Sequence, residues 1–226
     1  MTIKLYSWPM SSGTRIAWAL EELALPYQYV PLDAKKQEHR SPEMLAVNPH
    51  GKVPSLDDGG LKLFESGAIL LYLADKIRRF IPSDARARLD CIQWLFWQMA
   101  NLGPMAGQNH HFGLYAPEKL PYAIDRYVRE TGRLYAVLNK KLAKSEFIVG
   151  EYTIADMASY PWIRPERQQQ NIDDFPHLKR WKEAIQARPA TVRAYAKAKE
   201  INPSAGVPAT AEERNVLFGQ SKETVK

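Results

Sequence analysis

Strand-like and helix-like patterns alternate only in the first 78 of the 226 residues, and this division constrains the fold more than any other feature. Residues 2–6 alternate apolar and polar side chains as a short strand does, and residues 27–33 favour a second strand. Helical periodicity covers residues 12–24, and a short helix is expected after a cap at Ser41. This order predicts a small mixed sheet with helices packed on it.

Strand signals end with a predicted β-hairpin, and the chain beyond residue 86 lacks them. The stretch "KVPSLDDGGLKLFES" predicts a β-hairpin that turns at Asp58-Gly59-Gly60, and a helix follows to residue 78. Residues 79–86 are a plausible linker, and residues 87–200 consist of helical patterns. We therefore predict an α/β domain at 1–78, an all-α domain at 87–200 and an extended tail at 201–226.

Charge and cysteine content narrow the class of protein. Residues 1–78 hold nine basic and nine acidic residues, whereas 79–226 hold 22 basic and 16 acidic residues. This surplus predicts solvated helix faces or attraction of small anions, and it shows no nucleic-acid-binding pattern. The single cysteine excludes internal disulfides and favours the cytoplasm. We expect no membrane span and no signal peptide.

Hydroxyl groups stand at two predicted helix N-termini. Ser11 and Ser12 lie between the first predicted strand and the helix that follows it. Glu65 and Ser66 lie between the predicted hairpin and the next helix. A helix begins with unsatisfied N–H groups and a partial positive charge, so a hydroxyl there either caps the helix or donates to an anion. The pair Ser11-Ser12 therefore predicts one serine that caps the helix, and the residues alone leave open whether the other has no role or donates to a bound anion.

Two further motifs concern the backbone. Pro54 stands at the start of a strand, where a trans peptide bond is the ordinary form. A cis bond would turn the main chain of Val53 outward, free to pair with an extended peptide. Thr153 and Asp156 have the spacing of a capping box, which we assign to folding.

Together these features resemble the glutathione transferase family, through "NPHGKVPSL" and "LFESGAILLYLAD". The segments "QWLFWQMANLGPMAGQNHHF" and "PYAIDRYVRETGRLYAVLN" resemble its bacterial nu class, known as glutathione-dependent disulfide-bond oxidoreductases. The resemblance implies a thioredoxin-like N-terminal domain, an all-helical C-terminal domain, a cis proline before the third strand and a homodimer. It also implies glutathione as substrate and no metal.

The resemblance also implies which residues contact glutathione. Val53 and Pro54 are expected at its cysteinyl part, and Glu65 and Ser66 at its γ-glutamyl end. His39 and Lys52 are expected at its glycyl carboxylate, and Arg133 is a further candidate for the site. Ser12 stands where the nu class has an asparagine near the sulfur, whereas "PMSSGTR" resembles serine-type classes that use Ser11. Both serines remain candidates for the catalytic hydroxyl, with Ser12 favoured.

The segment "GQNHHF" is the candidate wall of a second subsite, through Gln108, Asn109 and His110. The alternative is that these are ordinary polar groups at a helix end. Neighbouring histidines on a helix point about 100° apart, so a zinc site is not expected. Cys91 is predicted to be a core residue.

Three functions remain open at this point. The first is a disulfide-bond reductase in which glutathione supplies both reacting sulfurs and the protein supplies no cysteine. The second is a glutathione S-transferase that conjugates glutathione to electrophiles, and the third is a non-catalytic binding module of the same fold. The presence of the hydroxyls and of Glu65-Ser66 favours an enzyme over a binding module.

Overall fold

The computed structural model describes residues 2–33, 36–203, 210–219 and 221–222. The chain divides into two compact units. One comprises Met1–Tyr72 with Ala190–Lys226, and the other comprises Leu73–Pro189. The domain limits expected from the sequence, at residues 78 and 87, stay predictions.

The first unit contains a four-stranded sheet. Its strands are β1 (Ile3–Ser7), β2 (Tyr27–Pro31), β3 (Ser55–Asp58) and β4 (Leu61–Phe64). The strand order is β2-β1-β3-β4, with β1 parallel to β2 and the other pairs antiparallel. Gly59 and Gly60 form the hairpin turn with φ of 65° and 99°, which is why glycine is needed there.

Helices make up most of the described chain. The α-helices are α1 (Ser11–Glu22), α2 (Pro42–Leu45), α3 (Ser66–Ile77), α4 (Ala85–Trp97), α5 (Gly103–His110), α6 (Pro121–Leu142), α7 (Ile154–Ser159), α8 (Pro165–Gln168), α9 (Pro176–Gln186), α10 (Pro189–Ile201) and α11 (Ala211–Phe218). Short 3-10 turns occur at Glu38–Arg40, Tyr160–Trp162 and Ile172–Asp174. None of the described helices is both long and apolar enough to cross a membrane.

The core of the first unit confirms the predicted α/β character. Leu5 and Leu56 of the sheet, Ile16 and Leu20 of α1, and Ile69 of α3 are fully buried. Burial of side chains of this size contributes about 1.5–3 kcal/mol each, which is enough to hold two helices on one sheet. The unit is thioredoxin-like, as the resemblance implied.

The second unit is all-helical. Its longest helix, α6, packs against α5 and α9, and Tyr135, Leu138 and Trp181 are fully buried. Two π-helical turns that the sequence pattern did not predict, Gln98–Leu102 and His111–Tyr115, flank α5. Such turns interrupt the 3.6-residue period, so a periodicity search passes over them.

The predicted capping box at the start of α7 is confirmed. Thr153 accepts a hydrogen bond at the helix start from the Ala155 N–H, and the Asp156 carboxylate accepts one from the Thr153 N–H at 2.9 Å. The other Asp156 oxygen accepts hydrogen bonds from the Ile148 N–H at 3.0 Å and the Trp181 indole at 2.8 Å. Asp156 thus joins α7, α9 and the preceding loop.

The C-terminal part of the chain differs from the prediction in one respect. The extended tail predicted at 201–226 is wrong for Ala211–Phe218, which form α11, because Val216 and Leu217 are half-buried and stabilise a helix through packing. Residues 204–209, 220 and 223–226 of the predicted tail lie outside the described residues.

Helix α10 belongs to the first unit by its contacts. Arg193 pairs with Glu21 of α1 at 3.1 Å, and the Lys197 ammonium lies 4.8 Å from the centre of the Tyr27 ring of β2. The helix also buries Ala190 and Ala194. A helical pattern in a sequence cannot show which layer the helix packs against.

Candidate active site

The register of the sheet brings three segments of the first unit to one edge. Tyr6 pairs with Ser55, and Ser55 pairs with Phe64, so the end of β1, the start of β3 and the end of β4 are neighbours. The segments adjoining these strand ends are residues 8–12, 53–54 and 65–66. The structure therefore brings together most of the glutathione contacts predicted in the first domain.

The first segment leads into α1. Met10 occupies the N-cap position and gives the helix no side-chain hydrogen bond, so the prediction that a serine caps α1 is wrong. The reason is that extended backbone ends at Met10, which makes Ser11 and Ser12 the first two helical residues. Both are half-buried, and neither hydroxyl is hydrogen bonded to another described residue. Both hydroxyls are therefore free to meet a ligand.

The second segment precedes β3. The Val53-Pro54 peptide bond is cis, as the resemblance implied. Neither the N–H nor the carbonyl of Val53 is hydrogen bonded within the described chain, so this main chain is free to pair with an extended peptide. The buried side chain of Asn48 holds the preceding loop, because its amide donates to the Lys52 carbonyl at 2.7 Å. The Lys52 side chain is exposed.

The third segment starts α3. The Glu65 carbonyl accepts the first helical hydrogen bond from the Ile69 N–H at 2.9 Å, so Glu65 is the N-cap residue. Its φ of 65° is left-handed, which costs a non-glycine residue about 1–3 kcal/mol. Glycine at this position would avoid that cost, but it would not provide the exposed carboxylate that Glu65 provides. This favours a ligand-binding role for Glu65.

Ser66 contacts a residue that the sequence reasoning missed. The Arg15 Nη1 donates to the Ser66 Oγ at 2.6 Å, and both side chains are buried. Burial lowers the pKa of the Arg15 guanidinium to about 10, against the raising effects of Tyr195 and Glu65, so it stays positively charged at neutral pH. A signal was present: Arg15 is the only charged residue in the stretch from Gly13 to Leu20.

His39 lies in the loop after β2, whose end is parallel to that of β1. Burial, followed by the charge of Arg40, lowers the pKa of the half-buried imidazole. Its Nδ1 is buried and has no hydrogen-bond partner among the described residues. His39 is therefore mainly neutral at pH 7, and its role at the glycyl carboxylate stays a prediction.

Arg133 belongs to the second unit. It lies on α6, where it forms a bidentate ion pair with Glu130 at 2.7 and 2.8 Å. Its side chain is 59% exposed, so the guanidinium is accessible to solvent while it is paired. Its predicted contact with glutathione stays a prediction.

The three residues of the predicted second subsite differ in accessibility. Gln108 is exposed, whereas Asn109 and His110 are buried within the second unit. The Asn109 amide donates to the Thr131 hydroxyl at 3.3 Å and to the Gln168 carbonyl at 3.2 Å. Burial, with nearby arginine charges, lowers the pKa of His110 to about 4. The subsite stays a prediction, in which Gln108 is the residue that solvent reaches.

Cys91 is fully buried in α4, which confirms the prediction that it is a core residue. Burial raises the pKa of its thiol, the opposite of what a nucleophilic cysteine requires. Within the described residues, no three His, Cys, Asp or Glu side chains are grouped as a metal site would require.

The arrangement in the first unit suits an extended anionic peptide. Two helix N-termini and the Arg15 cation attract negative charge, and the Val53 main chain can pair with a peptide backbone. The hydroxyls of Ser11 and Ser12 can donate to a thiolate. The site of this thioredoxin-like unit is thus arranged to hold an extended peptide that carries a negative charge and a thiolate.

Comparison with protein families agrees with this geometry. Residues 1–75 match the model of the glutathione S-transferase N-terminal domain, and residues 103–189 match that of its C-terminal domain. The chain therefore belongs to the glutathione S-transferase family and is an enzyme of the glutathione transferase-like type.

Three relatives illustrate the similarity. The disulfide-bond oxidoreductase YfcG of Escherichia coli is 47% identical over 205 residues, which cover 87% of this chain and 95% of that protein. A glutathione transferase family member from Pseudomonas fluorescens with two glutathione bound is 41% identical, with a TM-score of 0.81 over 85% of this chain and 92% of its own. A glutathione transferase from Pseudomonas putida with one glutathione disulfide bound per subunit is 34% identical, with a TM-score of 0.81. The match covers 85% of this chain and 90% of that one.

Proposed function

We propose that this protein is a glutathione-dependent disulfide-bond reductase in which bound glutathione supplies both reacting sulfurs. The observation that carries the proposal is the pair of unengaged hydroxyls at the start of α1, beside the free main chain of Val53. The 47% identity to a disulfide-bond oxidoreductase supports the reaction class. The relatives with two glutathione, or with glutathione disulfide, support a site with room for both molecules.

The reaction balances with two glutathione thiols as the reductant. The first thiolate attacks one sulfur of the substrate disulfide, which forms a mixed disulfide and releases one substrate thiolate. The second glutathione thiolate attacks the glutathione sulfur of that mixed disulfide, which forms glutathione disulfide and releases the other substrate thiolate. Two electrons pass from the two glutathiones to the substrate, and the released thiolates take up the two protons.

The hydroxyl accounts for only part of the catalysis. A free thiol of pKa about 8.5 is only about 3% thiolate at pH 7, and a decrease of about two pKa units would raise that fraction about 24-fold. The lower basicity makes each thiolate about eightfold less nucleophilic, so the net gain is about threefold. We infer that alignment of the two sulfurs contributes more to the rate than acidification of the thiol does.

The test is to compare reduction of a small hydroxyalkyl disulfide with conjugation of a chlorodinitrobenzene, each with glutathione. We expect fast reduction and weak conjugation from the wild-type protein. Ser12→Ala and Ser11→Ala then show which hydroxyl meets the sulfur, with Ser83→Ala, at an exposed serine, as the matched control. Strong conjugation with little reduction would instead establish a glutathione S-transferase of the conjugating type.

Cys91→Ala is expected to retain the reductase activity within about twofold, because its thiol is buried and glutathione supplies the sulfurs. Loss of a small buried side chain should cost about 1 kcal/mol of stability. Steady-state reduction rates, measured at a temperature where the variant is folded, check this. Loss of turnover in a folded variant would show that the protein sulfur takes part in the reaction.

We also propose a homodimer, working in the cytoplasm, where thiols are kept reduced. Leu89 and Phe96, seven residues apart on one face of α4, are 58% and 64% exposed, and Phe64 on edge strand β4 is 39% exposed. Neighbouring exposed apolar side chains such as Leu89 and Phe96 form a candidate contact surface between subunits, because a contiguous apolar patch often marks an interaction site.

Phe96→Asp is expected to shift a dimer toward monomer, because a charge at the centre of an apolar contact is costly to bury. Sedimentation velocity at micromolar concentration checks this, with Val192→Asp on the exposed face of α10 as the control. A wild-type protein that sediments only as a monomer would contradict the dimer.

A further inference from the structure

A buried arginine stands behind the start of α3. Arg15 is 1% exposed, although burial of a charged side chain costs free energy unless other groups compensate it. A buried charge is weak evidence for stability, whereas its charge and its hydrogen-bond donors can serve a specific site.

The hydrogen bond to Ser66 indicates which site Arg15 serves. Because Arg15 donates to the Ser66 Oγ at 2.6 Å, a lone pair of that oxygen is occupied. The hydroxyl proton of Ser66 is then left to donate to an acceptor at the N-terminus of α3. An anion there would gain the hydroxyl, the first helical N–H groups and the positive charge behind them.

Other elements of the first unit hold the guanidinium from further sides. Tyr195 of α10 and Glu65 both interact electrostatically with Arg15. Helix α10 is itself fastened to α1 and β2, through Arg193 on Glu21 and Lys197 over Tyr27. The cation thus sits in a built environment, with Ser66 as its hydrogen-bonded acceptor at the edge where the site lies.

We propose that Arg15 is a positioning residue for glutathione, which through Ser66 orients the hydroxyl that receives the γ-glutamyl carboxylate. This inference rests on the proposed function, because it takes glutathione as the ligand. Arg15 touches no reacting atom, so its effect is on binding of glutathione and not on the chemical step.

The experiment measures the Kd of glutathione by calorimetry for the wild type, Arg15→Met, Arg15→Lys, Ser66→Ala and the double variant Arg15→Met/Ser66→Ala. We expect Arg15→Met to raise the Kd about 10- to 100-fold, the range for a hydrogen bond to a charged group. The KM for glutathione should rise with it, while kcat at saturation stays within about twofold. Arg15→Lys keeps the positive charge but lacks the planar guanidinium with its fixed donors, so this variant should give an intermediate Kd.

The double variant tests whether Arg15 acts through Ser66. If it does, the double variant binds glutathione about as weakly as the weaker single variant, since each change removes the same interaction. Lys4→Met is the matched control, because Lys4 is an exposed cation on β1 of the same unit. The Kd of this variant for glutathione should match that of the wild type.

Thermal unfolding distinguishes loss of binding from loss of folding. Arg15→Met and Ser66→Ala each break the same buried hydrogen bond, so both are expected to lower the unfolding temperature, and each Kd is measured at a temperature where the variant is folded. An unchanged Kd in a folded Arg15→Met variant, or a double variant whose loss equals the product of the single losses, would overturn the inference alone. A wild-type protein that binds no glutathione would overturn the proposed function and this inference with it.

Discussion

Asp156→Ala is expected to lower the free energy of unfolding by about 3–5 kcal/mol, the range for breaking a buried hydrogen-bond network. Asp156 is fully buried, and its carboxylate accepts hydrogen bonds from Ile148, from Thr153 and from the Trp181 indole. Alanine would leave these donors unsatisfied in the core, where each costs about 1–3 kcal/mol. Urea denaturation at pH 7 measures the loss.

The matched control is Asp173→Ala. Asp173 pairs with Lys179 at 2.7 Å, but its side chain is 68% exposed, so the loss should stay below about 1 kcal/mol. If Asp156→Ala also lowered the free energy of unfolding by less than about 1 kcal/mol, the assignment of the capping box to folding would be contradicted.

The same network has a pH signature. Burial raises the pKa of Asp156 to about 6, although its hydrogen bonds act in the opposite direction. A carboxyl pKa above its unfolded value of about 4 means that the folded protein binds the extra proton between about pH 4 and 6. The contribution of Asp156 protonation to the free energy of unfolding is therefore largest below about pH 4, and it falls as the pH rises from about 4 to 6. Asp156→Asn should remove this part of the pH dependence.

Gly13→Ala is expected to destabilise the protein by at least about 2–3 kcal/mol, and to lower kcat/KM at least about tenfold. A Cβ at Gly13 would lie 2.1 Å from the Trp8 carbonyl oxygen and 2.4 Å from the Ser7 hydroxyl. The carbonyl belongs to the backbone and cannot rotate away, so the start of α1 must move. That movement would displace Ser11 and Ser12 from the site.

Gly107→Ala is the control for stability. Its Cβ would lie 3.6 Å from the Trp162 ring, an ordinary contact, and alanine is the better helix former, so stability should stay or rise. Unfolding temperature and the rate of disulfide reduction are measured on each protein. A Gly13→Ala variant with wild-type activity would show that the site tolerates a shift of α1.

Much of the fold and part of the site could be predicted from short stretches of sequence. The Ser41 cap, the Gly59-Gly60 turn and the Thr153–Asp156 capping box are interactions between residues at most a few positions apart. Such features depend on local backbone geometry, and residue types report that geometry directly.

The site required more than local pattern. Helix α1 begins without a side-chain cap, because the path of the chain from β1 sets its first turn. Met10 at the N-cap position has no polar group from which the start of the helix could be predicted. The π-turns beside α5 and the placement of α10 in the first unit were likewise not predicted. Each depends on packing against elements far away in the sequence.

By itself, the sequence determined the order of strands and helices in the two domains, the Ser41 cap, the Thr153–Asp156 capping box, the Gly59-Gly60 turn and the segments that carry the candidate site. Only the tertiary structure decided that Arg15 lies against Ser66, which is 51 residues away along the chain, and that Tyr195 of α10 interacts electrostatically with Arg15. The physical reason is that local hydrogen bonds are encoded within a few residues. The partner of a buried charge is selected by the folded layers that surround it.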